Sequence, residues 1–230
     1  MPKLIEIIGP PGSGKTFISS QLQLLKKKNK QIFYHSSNWR NFKKFQNLNI
    51  LIKLLIKLKV IFIIAIFYLT FCKRFFFKKI YKRSFFFRTI FLIYRHLVSI
   101  EMLKKKLSDD EYLIMEPGII MYFLQDYFYS HQKVTINEIK IFNKIFKKTD
   151  FIIFSNCSFK LQIKRLNLRL RGLPQRMRGL NEKEIREVVK KSNIEIKKYI
   201  LNSHNLNSKI IKINTSKNIK GFKEIKNFLK

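Results

Sequence analysis

The sequence predicts an α/β protein, a three-layer sandwich on a mostly parallel five-stranded sheet. Five short apolar runs occur at residues 4–8 (LIEII), 31–35 (QIFYH), 113–115 (LIM), 151–154 (FIIF) and 209–213 (KIIKI). Helical patterns separate them, notably at 181–201 and 219–229. Strands alternating with helices imply crossover connections, hence a parallel sheet covered on both faces. The first run also ends directly in a glycine-rich loop that opens a helix, which fixes where that sheet binds its ligand.

Each element follows from its residues. Residues 4–8 form a short run rich in isoleucine, the pattern of a buried parallel strand. The loop GPPGSGKT follows, from Gly9 to Thr16, and leads into FISSQLQLLKKK. Gly12 and Gly14 let backbone amides turn inward to form an anion nest. Pro10 and Pro11 stiffen the loop at amides that need not donate, and Ser13 completes it. The following helix adds unsatisfied amides and its positive dipole end. Such a loop, GxxxxGK[ST] after a strand and before a helix, binds nucleotide phosphates: Lys15 reaches the β/γ-phosphates and the Thr16 hydroxyl holds Mg²⁺.

The third run ends in Glu116-Pro117-Gly118. Ligands of parallel sheets bind at the carboxyl ends of the strands, so Gly9, His35, Glu116 and Ser155 should share one crevice edge. Glu116 is a candidate for the acid near Mg²⁺ or for a base accepting a substrate proton. After the fourth run the segment KLQIKRLNLRLRGLPQRMRGL concentrates arginine in a chain otherwise richer in lysine. Arg165 and Arg169 are four apart and share a helix face. Arg171, Arg176 and Arg178 surround a Gly172-Leu173-Pro174 break, the layout of a basic lid over transferring phosphates. Arginine suits that task because its planar fork contacts phosphate oxygens bidentately.

Residues 36–108 form an apolar and basic helical insertion. Its uncharged stretch 60–72 (VIFIIAIFYLTFC) is 13 residues long, short of the roughly 20 that span a bilayer. Lysines and arginines flank it, so the insertion suits either a helical cap on the sheet or the interface of an anionic membrane. Arg88 and Arg95, seven apart on one helix face, are candidate acceptor-binding residues, as is Arg40 beside Trp39. His96 and His131 carry no functional signal.

Composition bounds the partners. The 230 residues suit one domain with that insertion. Lys and Arg total 48 against 14 Asp and Glu, a formal net charge of +34. Such a field attracts anionic ligands, while abundant Lys, Asn, Ile and Phe also fit base-composition bias. Specific nucleic-acid binding is not expected, since no helix-turn-helix, zinc-finger or RRM pattern appears. Cys72 and Cys157 cannot build a disulfide framework or a zinc site. The opening residues lack a signal-peptide pattern, so a cytoplasmic protein is expected, with peripheral contact at a membrane's inner face open to it.

Together LIEIIGPPGSGKT, LIMEPG, DFIIFSNCSFKLQIKRLNLRLRG and the closing KIIKINTSKNIKGFKEIKNFL resemble the P-loop kinases of the nucleoside monophosphate kinase-like group, especially thymidylate kinase-like proteins. The resemblance covers roughly residues 1–35 and 109–230. It implies the P-loop NTPase fold and phosphoryl transfer from ATP, with Mg²⁺, to a nucleotide, nucleoside or sugar. On that reading Lys15 and Thr16 hold the nucleotide with Arg171 beside it, Glu116 takes the strand-end acidic role, and Arg176 and Arg178 form the lid. The chain departs from the family in having EPGII where a DR[YSHF]-type motif follows the third strand. The alternative is a nucleotide-binding ATPase or switch working on a membrane or a protein partner; the absence of an NKxD motif disfavours a GTPase.

Overall fold

The computed structural model describes the chain apart from residues 1–2, 30–32, 36–48, 77–82, 106, 108, 110, 131, 147–148, 170–171, 204–207 and 217–230. The expected helix at 219–229 and the candidates Arg40, Trp39, His131 and Arg171 lie outside the described residues.

The sheet is built from β1 (Lys3–Ile8), β2 (Phe33–His35), β3 (Tyr112–Met115), β4 (Phe151–Asn156) and β5 (Lys209–Asn214), in the order β2-β3-β1-β4-β5 with parallel pairings throughout. Its body is the four-stranded part β3-β1-β4-β5; β2 adds three residues along the edge of β3. Alternation along the strands divides two cores. Leu4, Ile8, Leu113, Met115, Ile152 and Phe154 face one side. Ile5, Ile7, Ile114, Ile153, Ile211 and Ile213 face the other, against Ile18 and Leu22 of α1 (Lys15–Asn29). Both faces being apolar, the strands read as continuous hydrophobic runs rather than alternating ones.

The larger core packs beneath α2 (Ile50–Phe76), α3 (Arg83–Lys104), α4 (Ile119–Phe128), α5 (Ile136–Ile145), α6 (Phe159–Asn167) and α7 (Glu182–Asn202). Phe123 of α4 stacks on Phe142 of α5 with ring centroids 4.1 Å apart, and Phe67 of α2 meets both edge-on. Helices α5 and α7 start with capping boxes, Thr135 with Glu138 and Asn181 with Glu184, which satisfy otherwise unpaired amides.

The expected insertion holds α2 and α3, packed on one another. Ile56, Val60, Phe67 and Phe71 turn one stripe of α2 into the core, so this helix is continuous with the body of the fold. Its opposite face is apolar too, with Leu51, Leu58, Phe62 and Leu69 exposed. Among the described residues no helix is long and apolar enough to cross a membrane.

Candidate nucleotide site at the first loop

Strand β1 delivers the chain to the loop at Gly9, and α1 begins at Lys15. Gly12 and Gly14 have φ of 78° and 91°, the left-handed region that turns their amides inward. Gly12 is required by space as well: a Cβ there would lie 2.4 Å from the Gln162 carbonyl oxygen. The loop is tied from behind, since the Ser13 carbonyl accepts hydrogen bonds from the hydroxyls of Ser155 and Thr215, each at 2.6 Å. These residues sit at the carboxyl ends of β4 and β5, so the sheet holds the cradle rigid.

Lys15 folds over the loop, its Nζ donating to the carbonyl oxygens of Gly9 at 2.7 Å and Pro10 at 2.9 Å. Burial pulls its pKa from 10.5 down to about 8; Glu116 works against that fall and Arg169 adds to it. The ammonium is thus held by two neutral carbonyls, with the Glu116 carboxylate acting on it from across the site. Thr16 Oγ1 donates to Glu116 Oε1 at 2.8 Å, joining the start of α1 to the end of β3. The Glu116–Pro117 peptide is cis.

These groups border a cavity of about 620 Å³. The loop, Lys15, Thr16 and Glu116 form one side. Met121, Gln125, Phe128 and Tyr129 of α4 and its C-terminal edge form the other, with Arg165 and Arg169 also lining it. Arg165 is engaged: its guanidinium donates to the Thr215 hydroxyl at 3.0 Å and the Thr215 carbonyl at 2.9 Å. Arg169 is exposed and acts on Lys15 through its charge.

The remaining arginines are placed differently from expectation. Arg176, expected over the phosphates, turns into the protein: Nη1 donates to Asp126 Oδ1 at 3.0 Å and Nη2 to Thr89 Oγ1 at 2.8 Å. The physical reason is Asp126, a carboxylate 2% exposed that needs a partner. Arg178 is exposed and donates to the Leu173 carbonyl within its own turn. Arg88 and Arg95 of α3 do not line the cavity; both lie near enough to Tyr122 to oppose the burial that raises its pKa to about 12. The structure therefore brings Lys15, Thr16 and Glu116 together with the loop; Arg176 stands behind the cavity wall, 5.9 Å from the centre of the Tyr129 ring, and Arg88 and Arg95 do not line the cavity.

Sequence reasoning missed Asp126, Thr89 and the aromatic wall of α4. Acid scarcity was the signal available for Asp126, because a carboxylate inside an apolar helix of a basic chain seldom lies there without a partner. No cluster of three or more His, Cys, Asp or Glu among the described residues could hold a metal.

No protein-family model and no curated protein matches this chain. Solved structures do. Deoxyadenosine kinase from M. mycoides with bound dATP superimposes with a TM-score of 0.54 at 16% identity, covering 99% of this chain and 98% of that one. The same kinase with products dCMP and a flexible dCDP bound gives a TM-score of 0.55 at 15% identity, covering 98% of each chain. The likeness reaches P-loop kinases as a fold and does not single out thymidylate kinase. Over nearly its whole length the chain has the fold of these deoxyadenosine kinase structures.

Proposed function

We propose that this protein transfers a phosphoryl group from ATP, with Mg²⁺, to a small-molecule acceptor, and that the acceptor is a nucleoside. One observation carries the reading: Lys15 and the Thr16–Glu116 pair face the aromatic and amide wall of Phe128, Tyr129 and Gln125 across a single cavity. Lys15 would neutralise the β/γ-phosphates, its lowered pKa reversing as the anion arrives. The Thr16 hydroxyl and Glu116 carboxylate, 2.8 Å apart, fit two oxygens of one hard cation. When bound, Mg²⁺ would neutralise charge on the transferring phosphoryl group. Gly9 to Gly14 supply the amides, and the exposed Arg169 and Arg178 further positive charge. Aromatic walls with few charges suit a base and sugar better than a phosphorylated acceptor. The folds of the M. mycoides enzyme bound to dATP and to dCMP support the same choice.

The test is ADP release with Mg·ATP against nucleosides, nucleotides and sugars. A nucleoside should raise turnover well above that of Lys15→Ala; if no acceptor does, the reading fails.

A second role, peripheral attachment to an anionic membrane face, is favoured by the outer face of α2. Leu58, Phe62 and Leu69 stand exposed there, Lys57 and Lys59 flank them (Lys59 paired with Glu101 of α3 at 2.7 Å), and α2 itself contains no acidic residue. An apolar stripe edged by lysines is the design of an interfacial helix. Co-sedimentation with phosphatidylserine vesicles, lost in Phe62→Glu and absent with neutral vesicles, would support this role; binding to neither kind of vesicle, or equally to both, would remove it.

A further inference from the structure

A carboxylate in the middle of a buried parallel strand requires an explanation, because the charged form loses its hydration there. Glu6 of β1 is such a residue, with no solvent exposure. Its carboxyl reaches across to the start of α4, where Oε1 accepts from the amides of Ile120 at 2.7 Å and Met121 at 3.3 Å. Helix α4 lacks a cap of its own: Gly118, at its N-cap, offers no side-chain hydrogen bond. Strand β1 therefore supplies from outside what the helix sequence omits.

The contact also explains Gly118. Its φ of −93° suits any residue, yet an added Cβ would stand 2.2 Å from Glu6 Cδ. Glycine is needed for close approach rather than for its backbone angle. Glu6 also lines a cavity of about 290 Å³ between sheet and helices, where the Thr149 hydroxyl acts on the same carboxyl. The two α4 amides are its contacts at the helix start.

Glu6 pairs in register with Met115, the residue before Glu116. The turn carrying Glu116 is consequently fastened to β1 at both ends, by the sheet at Met115 and by the Glu6 carboxyl at Ile120 and Met121. The same strand runs on into the loop that carries Thr16. One strand thereby sets both members of the Thr16–Glu116 pair.

We propose that Glu6 is a positioning residue, bracing the turn that presents Glu116 to Thr16 and so setting the affinity of the site for a divalent cation. The inference rests on the reading of Thr16 and Glu116 as the cation pair. Removing an outer partner of this kind typically weakens metal binding by about tenfold or more.

The experiment measures Mn²⁺ binding by electron paramagnetic resonance in the presence of saturating ADP, alongside metal-free ADP affinity. Glu6→Leu should weaken Mn²⁺ about tenfold while leaving metal-free ADP affinity unchanged, and Glu6→Gln, which keeps an acceptor oxygen, should restore it. Gly118→Ala, which displaces the carboxyl without removing it, should reproduce the loss and serves if Glu6→Leu does not fold. In a Glu116→Gln background Glu6→Leu should weaken Mn²⁺ no further. Additive losses, parallel losses of metal-free ADP affinity, or unchanged Mn²⁺ affinity in both Glu6→Leu and Gly118→Ala would overturn the inference. Should Glu116→Gln itself leave Mn²⁺ untouched, the reading of the cation pair fails first and the inference falls with it.

Discussion

Arg176 donates to Asp126 across 3.0 Å, the two side chains 9% and 2% exposed, and this pair ties the arginine segment to α4. The Thr89 hydroxyl joins both partners, at 2.8 Å to each, so α3 belongs to the same junction. Removing one member leaves an uncompensated charge in a dry setting. Asp126→Ala should therefore destabilise by about 3–5 kcal/mol in urea denaturation. The double change of Arg176→Met with Asp126→Leu should recover much of that loss.

Lys15 supplies a proton signature. Its free-site pKa is about 8, and a bound polyphosphate should return it toward its ordinary 10.5. Binding then draws protons from solution where free Lys15 is neutral, above about pH 8, and almost none near pH 6.5. Calorimetry of ATP binding in buffers of different ionisation enthalpy should show this uptake, and Lys15→Met should abolish it.

Glu6 predicts how stability depends on acidity. Burial raises its pKa from 4.5 to about 8, against the pull of the Ile120 and Met121 amides and the Thr149 hydroxyl. A raised folded-state pKa means the unfolded chain releases this proton first. The contribution of Glu6 is complete below about pH 4.5 and declines as pH rises to about 8, at up to about 1.4 kcal/mol per unit. Thermal denaturation across this window should show that decline, and Glu6→Gln should flatten it.

Two neighbouring arginines should part company on substitution. Arg169 is exposed beside the loop, so Arg169→Ala should weaken ATP binding by about tenfold at low salt, with little change in stability. Arg165 is bonded to Thr215, which holds the Ser13 carbonyl. Arg165→Ala should lower the melting temperature as well as affinity, by differential scanning calorimetry and titration respectively.

The loop was legible in the sequence because its chemistry is local: three glycines, a lysine and a threonine in eight residues dictate their own backbone and position. The runs at 4–8, 113–115 and 151–154 were legible for a similar reason, since strands buried on both faces are largely apolar, and they correspond to β1, β3 and β4; the run at 209–213 is the sheet-edge strand β5, with Lys209 and Lys212 exposed. Glu116 stood out at a strand end. Glu6 did not, because the run LIEII reads as a strand whether or not its carboxyl has a destination more than a hundred residues onward. The placement of Arg176 depends on Asp126, fifty residues away along the chain, and no periodicity encodes that pairing. Apolar patterning identified the inner stripe of α2, yet it could not divide buried from exposed leucines in a helix apolar on nearly every side.

The hydroxyl of Thr215 reaches back 202 residues to the carbonyl of Ser13, beside the bond from Ser155. During synthesis the loop therefore leaves the ribosome well before the strand that carries this clasp. A nascent chain stopped after β4 would carry the motif intact while lacking the strand that locks it. The fully tied form of the loop is thus acquired only after the residues between Ser13 and Thr215 have been made and folded into the sheet.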